Sequence, residues 1–136
     1  MPTFAHGKAA VVKIADSGST LRDISNVAHV SGLARSVDTA EVTTFGLNDK
    51  AYIAGLRDAT IPLEGFADPT VDGYLVGILG GTPANYEIYP MGSATGLIKL
   101  SGSAILTRYE VRPDVGDVVK ITGELQNTGV ITRAVL

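Results

Sequence analysis

Short runs of β-branched and apolar residues, cut apart by glycine and proline, make up most of the chain. That punctuation predicts a mainly-β domain. KAAVVKIAD (8–16) reads as a first strand. A turn at SGST follows, then extended chain over LRDISNVAHVSGLARSV with a bend near Asn26. A hairpin turn is expected at Ser36–Thr39, leading into the strand TAEVTTF. Period-2 alternation puts Ala40 and Val42 on one face of that strand and Thr39, Glu41, Thr43 and Phe45 on the other. GLNDKAYIAGLRD (46–58) fits neither period and reads as a long loop. ATIPLEGF is a strand, which Pro62 places at an edge or a bulge. Further strands are YEIYPM, GLIKLSGSAILTRYEV (96–111), DVVKITGELQ (117–126) and GVITRAVL (129–136), with RPDVGD and NTG as turns between the last three.

One segment carries the helical period. In DPTVDGYLVGILGG, Asp68 stands where an N-cap belongs, Pro69 takes the first helical position, and Asp72 sits in the first turn. Val71, Leu75, Ile78 and Leu79 share a face, and Gly80-Gly81 ends the run. The expected helix is 69–79, packed on the sheet through Leu75 and Ile78. The fold class is thus a β-sandwich or small barrel of about seven or eight strands, with one flanking helix and a long loop over about 46–58.

Several strands carry apolar or small residues on both faces: AAVVKIA, GLIKLSGSAIL and GVITRAVL. A sheet with one wet face alternates more cleanly. Two-faced strands need cover from the helix, a second sheet or a neighbouring chain, and their edges need partners.

Composition narrows the function. With 136 residues the chain suits one domain. The absence of cysteine removes disulfide frameworks and thiolate sites. A net charge of -3, with eleven lysines and arginines scattered along the chain, argues against a duplex-gripping protein. MPTFAHGKAA lacks a signal pattern and no apolar stretch nears about 20 residues, so the expectation is a soluble protein not secreted by the usual route.

Catalytic chemistry is not indicated. Asp38 and Glu41 could form an acid/base pair, but their odd spacing points them to opposite faces of a strand. His6 and His29 have no ligand-spaced partner. Neither VSGLARS nor LSGSAIL is a nucleophile elbow. GILGGTPAN has no phosphate-loop lysine and follows a helix where such a loop would precede one. No enzyme activity, cofactor or metal is expected. A small β-barrel binding module is the reading from another class; it would need aromatic platforms, yet the chain has no tryptophan.

Residues 21–69 resemble the major tail tube proteins of long-tailed bacteriophages, with the words Asp23-Ile24-Ser25, Asp38 to Gly46, Lys50 to Tyr52, Gly55 to Asp58 and Leu63 to Asp68 in order. The later half, with YEV, GDVV and ELQNTG, is similar to them too. The resemblance implies a tube fold with one flanking helix, a single tail tube domain over 1–136, and none of the C-terminal immunoglobulin-like domains that many members carry. It implies hexameric rings stacked into a hollow virion tail, assembled in the host bacterial cytoplasm. A tape-measure protein and passing DNA would occupy the bore, terminator and baseplate proteins the two ends, and no membrane would be involved. A neck, tail-terminator or baseplate ring protein, or a subunit of a phage-derived injection device, is the alternative of the same kind.

On that resemblance, the opening stretch SVDTAEVTTFG would be the tip and second arm of a hairpin. Phe45, Gly46, Leu47, Lys50, Tyr52, Ile53, Leu56, Arg57 and Asp58 would form a loop reaching a neighbouring subunit or ring. Asp38, Glu41, Glu110 and Glu124 are the candidates for the lumen or its rim, because DNA must pass without sticking.

Overall fold

The computed structural model of the protein describes residues 7–25, 28–30, 32–46, 48–113 and 115–136; the bend expected near Asn26, the loop residue Leu47 and His6 lie outside them. Among these residues a 3-10 turn at Gly7–Ala9 leads into β1 (Val11–Ala15), β2 (Leu21–Asp23), β3 (Ala28–Val30), β4 (Ala34–Glu41) and β5 (Tyr52–Phe66). The helix α1 (Pro69–Ile78), β6 (Ala84–Tyr89), β7 (Ile98–Arg112) and β8 (Lys120–Val135) follow. The strands form one antiparallel sheet in the order β2-β1-β6-β7-β8-β5-β3, with β4 paired to β5 beside β3. The sheet curls until β1 meets β3. Ile24 N donates to Val12 O at 3.1 Å, and Ala28 N donates to Ile24 O at 2.9 Å, tying that seam.

Alternation fills the concave side. Ile61 lies opposite Leu125, Leu125 opposite Leu106, and Val12 and Ile14 opposite Ile88 and Tyr86, all of them buried. The helix covers this face with Val71, Leu75 and Ile78. Its start follows the sequence: the Asp68 carboxylate accepts from Val71 N at 3.2 Å, and Pro69 stands at the first position. Its other end differs. The helix stops at Ile78, and Leu79 is extended, bridges to Leu106 and stays 42% exposed. Gly80 then donates to Leu106 O at 3.0 Å. A strand-like bridge to β7 displaces the last helical residue. Tyr109 Oη donates to Asp72 Oδ1 at 2.6 Å, pinning the first helical turn to β7 as well.

Three local expectations change. Residues 52–58 are not loop: β5 begins at Tyr52, so the connection is confined to 42–51. The register shows why the period was hidden. Val37 pairs with Arg57 and Thr39 with Ala54, so Gly55 and Leu56 together face Asp38, and this β-bulge breaks the alternation. A side chain at Gly55 would sit 3.2 Å from Asp38 O, so glycine permits the close approach.

Ser36–Thr39 is likewise no turn; it lies inside β4, which stops at Glu41 and forms the first arm of the hairpin. Turn-favouring serine, aspartate and threonine are overridden by pairing with β5. NTG is no turn either, since β8 runs unbroken through it. Thr128 pairs with Ser103 and Thr132 with Ser101, leaving 129–131 bulged against Gly102, with Gly129 at φ 84°. Pro62 sits where the flank of β5 changes partner, between Thr60 on β4 and Leu63 on β3.

Leu75 is fully buried, whereas Leu79 is half exposed. Leu75→Ala is expected to lower unfolding free energy by about 2–5 kcal/mol, and Leu79→Ala by no more than about 0.5 kcal/mol. Urea denaturation of the two variants measures both.

Candidate assembly surface

The site is built by strands that outrun their core. β5 and β8 pair from Phe66–Lys120 up to Thr60–Gln126, and there they part. β5 continues with β4 as one arm; β8 continues with β7 as the other. At the fork Gln126 Nε2 donates to Asp58 Oδ1 at 2.5 Å and to Ala59 O at 3.1 Å, occupying a carbonyl next to the last ladder pair. On the β8 side Tyr86 Oη donates to Asn127 Oδ1 at 2.7 Å, and Asn127 Nδ2 donates to Gly129 O at 3.0 Å. A core tyrosine thus holds the β8 bulge. Burial pushes the Tyr86 hydroxyl pKa up, against the opposing pull of the nearby Arg35 charge.

Between the arms lies an open cleft of about 580 Å³, lined among others by Arg35, Val37, Arg57, Asn127, Val130 and Ile131. The β4–β5 arm is bare: every residue of β4 is exposed, as are 52–58 of β5. Val42 N donates to Ala51 O at 2.8 Å and Ala51 N to Thr43 Oγ1 at 3.0 Å, closing the arm before its tip. Phe45 at that tip is 108% exposed and Leu56 at the bulge 82%. Apolar side chains in such number on a solvated arm mark an interaction surface.

Two of the open edges border the same stretch of sheet. β4 has no strand partner on its flank away from β5, and β7 has none beyond Leu106 on its flank away from β8, among the described residues. They lie on opposite sides of the segment β4-β5-β8-β7.

The expected contact residues divide by position. Phe45 and Gly46 form a turn at the tip, and Lys50 lies in the same connection. Tyr52, Ile53, Leu56, Arg57 and Asp58 stand on β5, and Leu47 is outside the described residues. The four acidic candidates divide by face. Partner registers put Asp38, Glu110 and Glu124 on the convex face, together with Glu64, Arg108 and Arg112. Glu41 is on the concave face, opposite Tyr52.

Glu110 is bracketed by Arg108 Nη2 at 2.6 Å and Arg112 Nε at 2.9 Å. The Arg112 hydrogen bond, aided by both arginine charges, holds its carboxyl below the ordinary glutamate value, although partial desolvation opposes this. Glu124 has no cation partner among the described residues, and His29 stands 3.7 Å from Glu64 on the same face. The described residues contain no group of three or more His, Asp or Glu able to hold a metal.

Sequence reading missed Arg35, Gln126, Asn127, Val130 and Arg133. NTG did signal the Gly129 backbone, but nothing in the chain signals that a cleft opens beside it.

This antiparallel sheet curled under one helix, with its long two-stranded arm, is a fold that recurs in solved structures. Among solved structures the chain is similar to one in the virion of a native gene transfer agent, with TM-score 0.78, 14% identity, and coverage of 96% of this chain and 99% of that one. A chain of the anti-feeding prophage baseplate, a six-fold symmetrised structure, matches with TM-score 0.74 at 21% identity, over 98% and 97%. The tail tube of SPP1 matches with TM-score 0.66 at 12% identity, over 98% and 80%. No family model and no curated protein matches the sequence.

The lowered Glu110 pKa sets the pH behaviour of the convex face. Its ion pairs are complete above the ordinary value of 4.5 and are lost as pH falls through the depressed value. Carboxyl-carbon NMR titration should place the Glu110 midpoint below 4.5, and Arg112→Ala should move it upward.

Proposed function

We propose that the chain is a structural subunit of a hollow tail tube, built from six-fold rings that stack, and that it catalyses no reaction. One observation carries the proposal: a fold shared over nearly the whole chain with chains of a baseplate, a virion and a tail tube carries a bare β4–β5 arm and two open, opposed edges. Joining the β4 edge of one copy to the β7 edge of the next is a heterologous contact. Such a contact closes into a ring when the rotation per copy divides a full turn. Closure pairs both of these edges, and strand tilt accommodates the offset between them. The long-tailed phage type follows from the resemblance of residues 21–69, as does a single tube domain over 1–136.

In this reading the convex face of β4, β5, β8 and β7 lines the bore. Asp38, Glu110 and Glu124 belong to it. Glu41, on the other face of β4, does not. Glu110 is paired with two arginines, so Glu124 and Asp38 supply the negative charge that has no cation partner among the described residues. With a Debye length of about 8 Å in physiological salt, only such near charges act on passing DNA or a tape-measure protein. Terminator and baseplate proteins would meet the open ends, and assembly would occur in the host bacterial cytoplasm before the particle is complete.

A ring protein of the baseplate or cap is the second reading. The likeness to a baseplate chain favours it. Electron microscopy of concentrated protein separates the two: open-ended tubes are expected, and isolated rings would move the chain to a tail end.

Replacing residues 43–50 by a two-residue turn should leave a folded monomer, unchanged in circular dichroism, that forms no tubes in negative stain. Glu124→Lys should leave tubes intact and slow genome passage, measured as the rate of DNA release from particles carrying the variant.

A further inference from the structure

Three arginines gather on one face around the fork. Arg35 and Arg57 line the cleft between the arms, and Arg133 lies on the same concave face of β8, opposite Leu100. None of the three meets a carboxylate among the described residues, whereas Arg22, Arg108 and Arg112 each do. Asp58, the one acid in the cleft lining, already accepts from Gln126 and Ala59 N. Around the arginines Val37 and Val130 are exposed, the latter at 82%.

The opposite imbalance occupies the end of the β4–β5 arm. Glu41 and Asp49 have no cation partner among the described residues, and they flank the fully exposed Phe45; Lys50 is the local cation. The tip cannot reach the cleft of its own chain. Six residues along β4 separate Glu41 from Arg35, about 20 Å at roughly 3.3 Å per residue. That is more than twice the Debye length of about 8 Å.

We propose that the cleft is a socket for the hairpin tip of a second copy. Phe45 enters between Val37 and Val130, while Glu41 and Asp49 meet Arg57 and Arg35. Desolvated, complementary charges fix register in such a contact, and the aromatic anchor supplies apolar burial. Knob and socket are different surfaces of one chain, so each docked copy presents a fresh socket or tip and the contact propagates. The inference rests on the tube reading and names the surface that joins one copy to the next.

The absence of native cysteine gives a clean test. A Phe45→Cys/Val130→Cys chain, assembled and then oxidised, should run as a ladder of covalent multimers that reductant collapses, and neither single variant should. Arg35→Glu/Arg57→Glu should raise the concentration needed for assembly at least tenfold with an unchanged melting temperature. Adding Glu41→Arg/Asp49→Arg to that chain should restore assembly. Tubes that form from the cysteine chain without cross-linking, or a charge-reversed chain that assembles as the wild type does, overturn the socket and leave the tube standing. A wild-type chain that stays monomeric at high concentration overturns both.

Discussion

The parting of β5 from β8 at Thr60 and Gln126 shapes everything outside the core. Up to that pair the sheet is continuous and its concave side is filled by side chains and by α1. Past it the β4–β5 arm is exposed along its whole length, and among the described residues the facing flanks of β5 and β8 lack strand partners. Gln126 makes the separation tolerable by bonding Ala59 O with its side chain, and Asn127 does the same for Gly129 O on the other arm. An unbonded carbonyl at the apex of a fork would cost about 1–3 kcal/mol if buried. The two amides keep the fork open without that cost.

Division of labour follows from this geometry. The small core, centred on Ile61, Leu75, Tyr86, Leu106 and Leu125, supplies folding stability. The arms contribute exposed apolar and charged side chains that gain nothing in the isolated chain. Open strand edges of this kind normally invite indiscriminate pairing. Here bulges at Gly55–Leu56 and at 129–131 bend both arms, so a partner has to match their twist as well as their hydrogen bonds. Charge is divided between faces as well, with Asp38, Glu110 and Glu124 on the convex side and the unpaired Arg35, Arg57 and Arg133 on the concave side. Sorting of this kind selects orientation between copies more than it adds affinity.

Local signals were enough for several elements. The helix start was legible because Asp68, Pro69 and the spacing of Val71, Leu75 and Ile78 act within a few residues. The strands of the later half were legible for the same reason, as was the opposite facing of Asp38 and Glu41, since the extra residue of the bulge lies in β5 and leaves the alternation of β4 intact. Where the reading went astray, a distant partner decided. Ser36–Thr39 and NTG carry turn chemistry, yet each is held straight by a neighbour strand, and 52–58 looked like loop because its bulge erased the period of two.

The sequence by itself determined a mainly-β chain with one capped helix, and its family-like words pointed to a tube protein. Those properties depend on residues adjacent in the chain. Tertiary structure alone decided that Arg35, Arg57 and Arg133 share a face, that Glu41 is parted from Glu110 and Glu124, and that a cleft opens between two arms. Such facts depend on which strands pair and in what register, and a one-residue bulge reverses every face beyond it. No inspection of the separate segments contains that information.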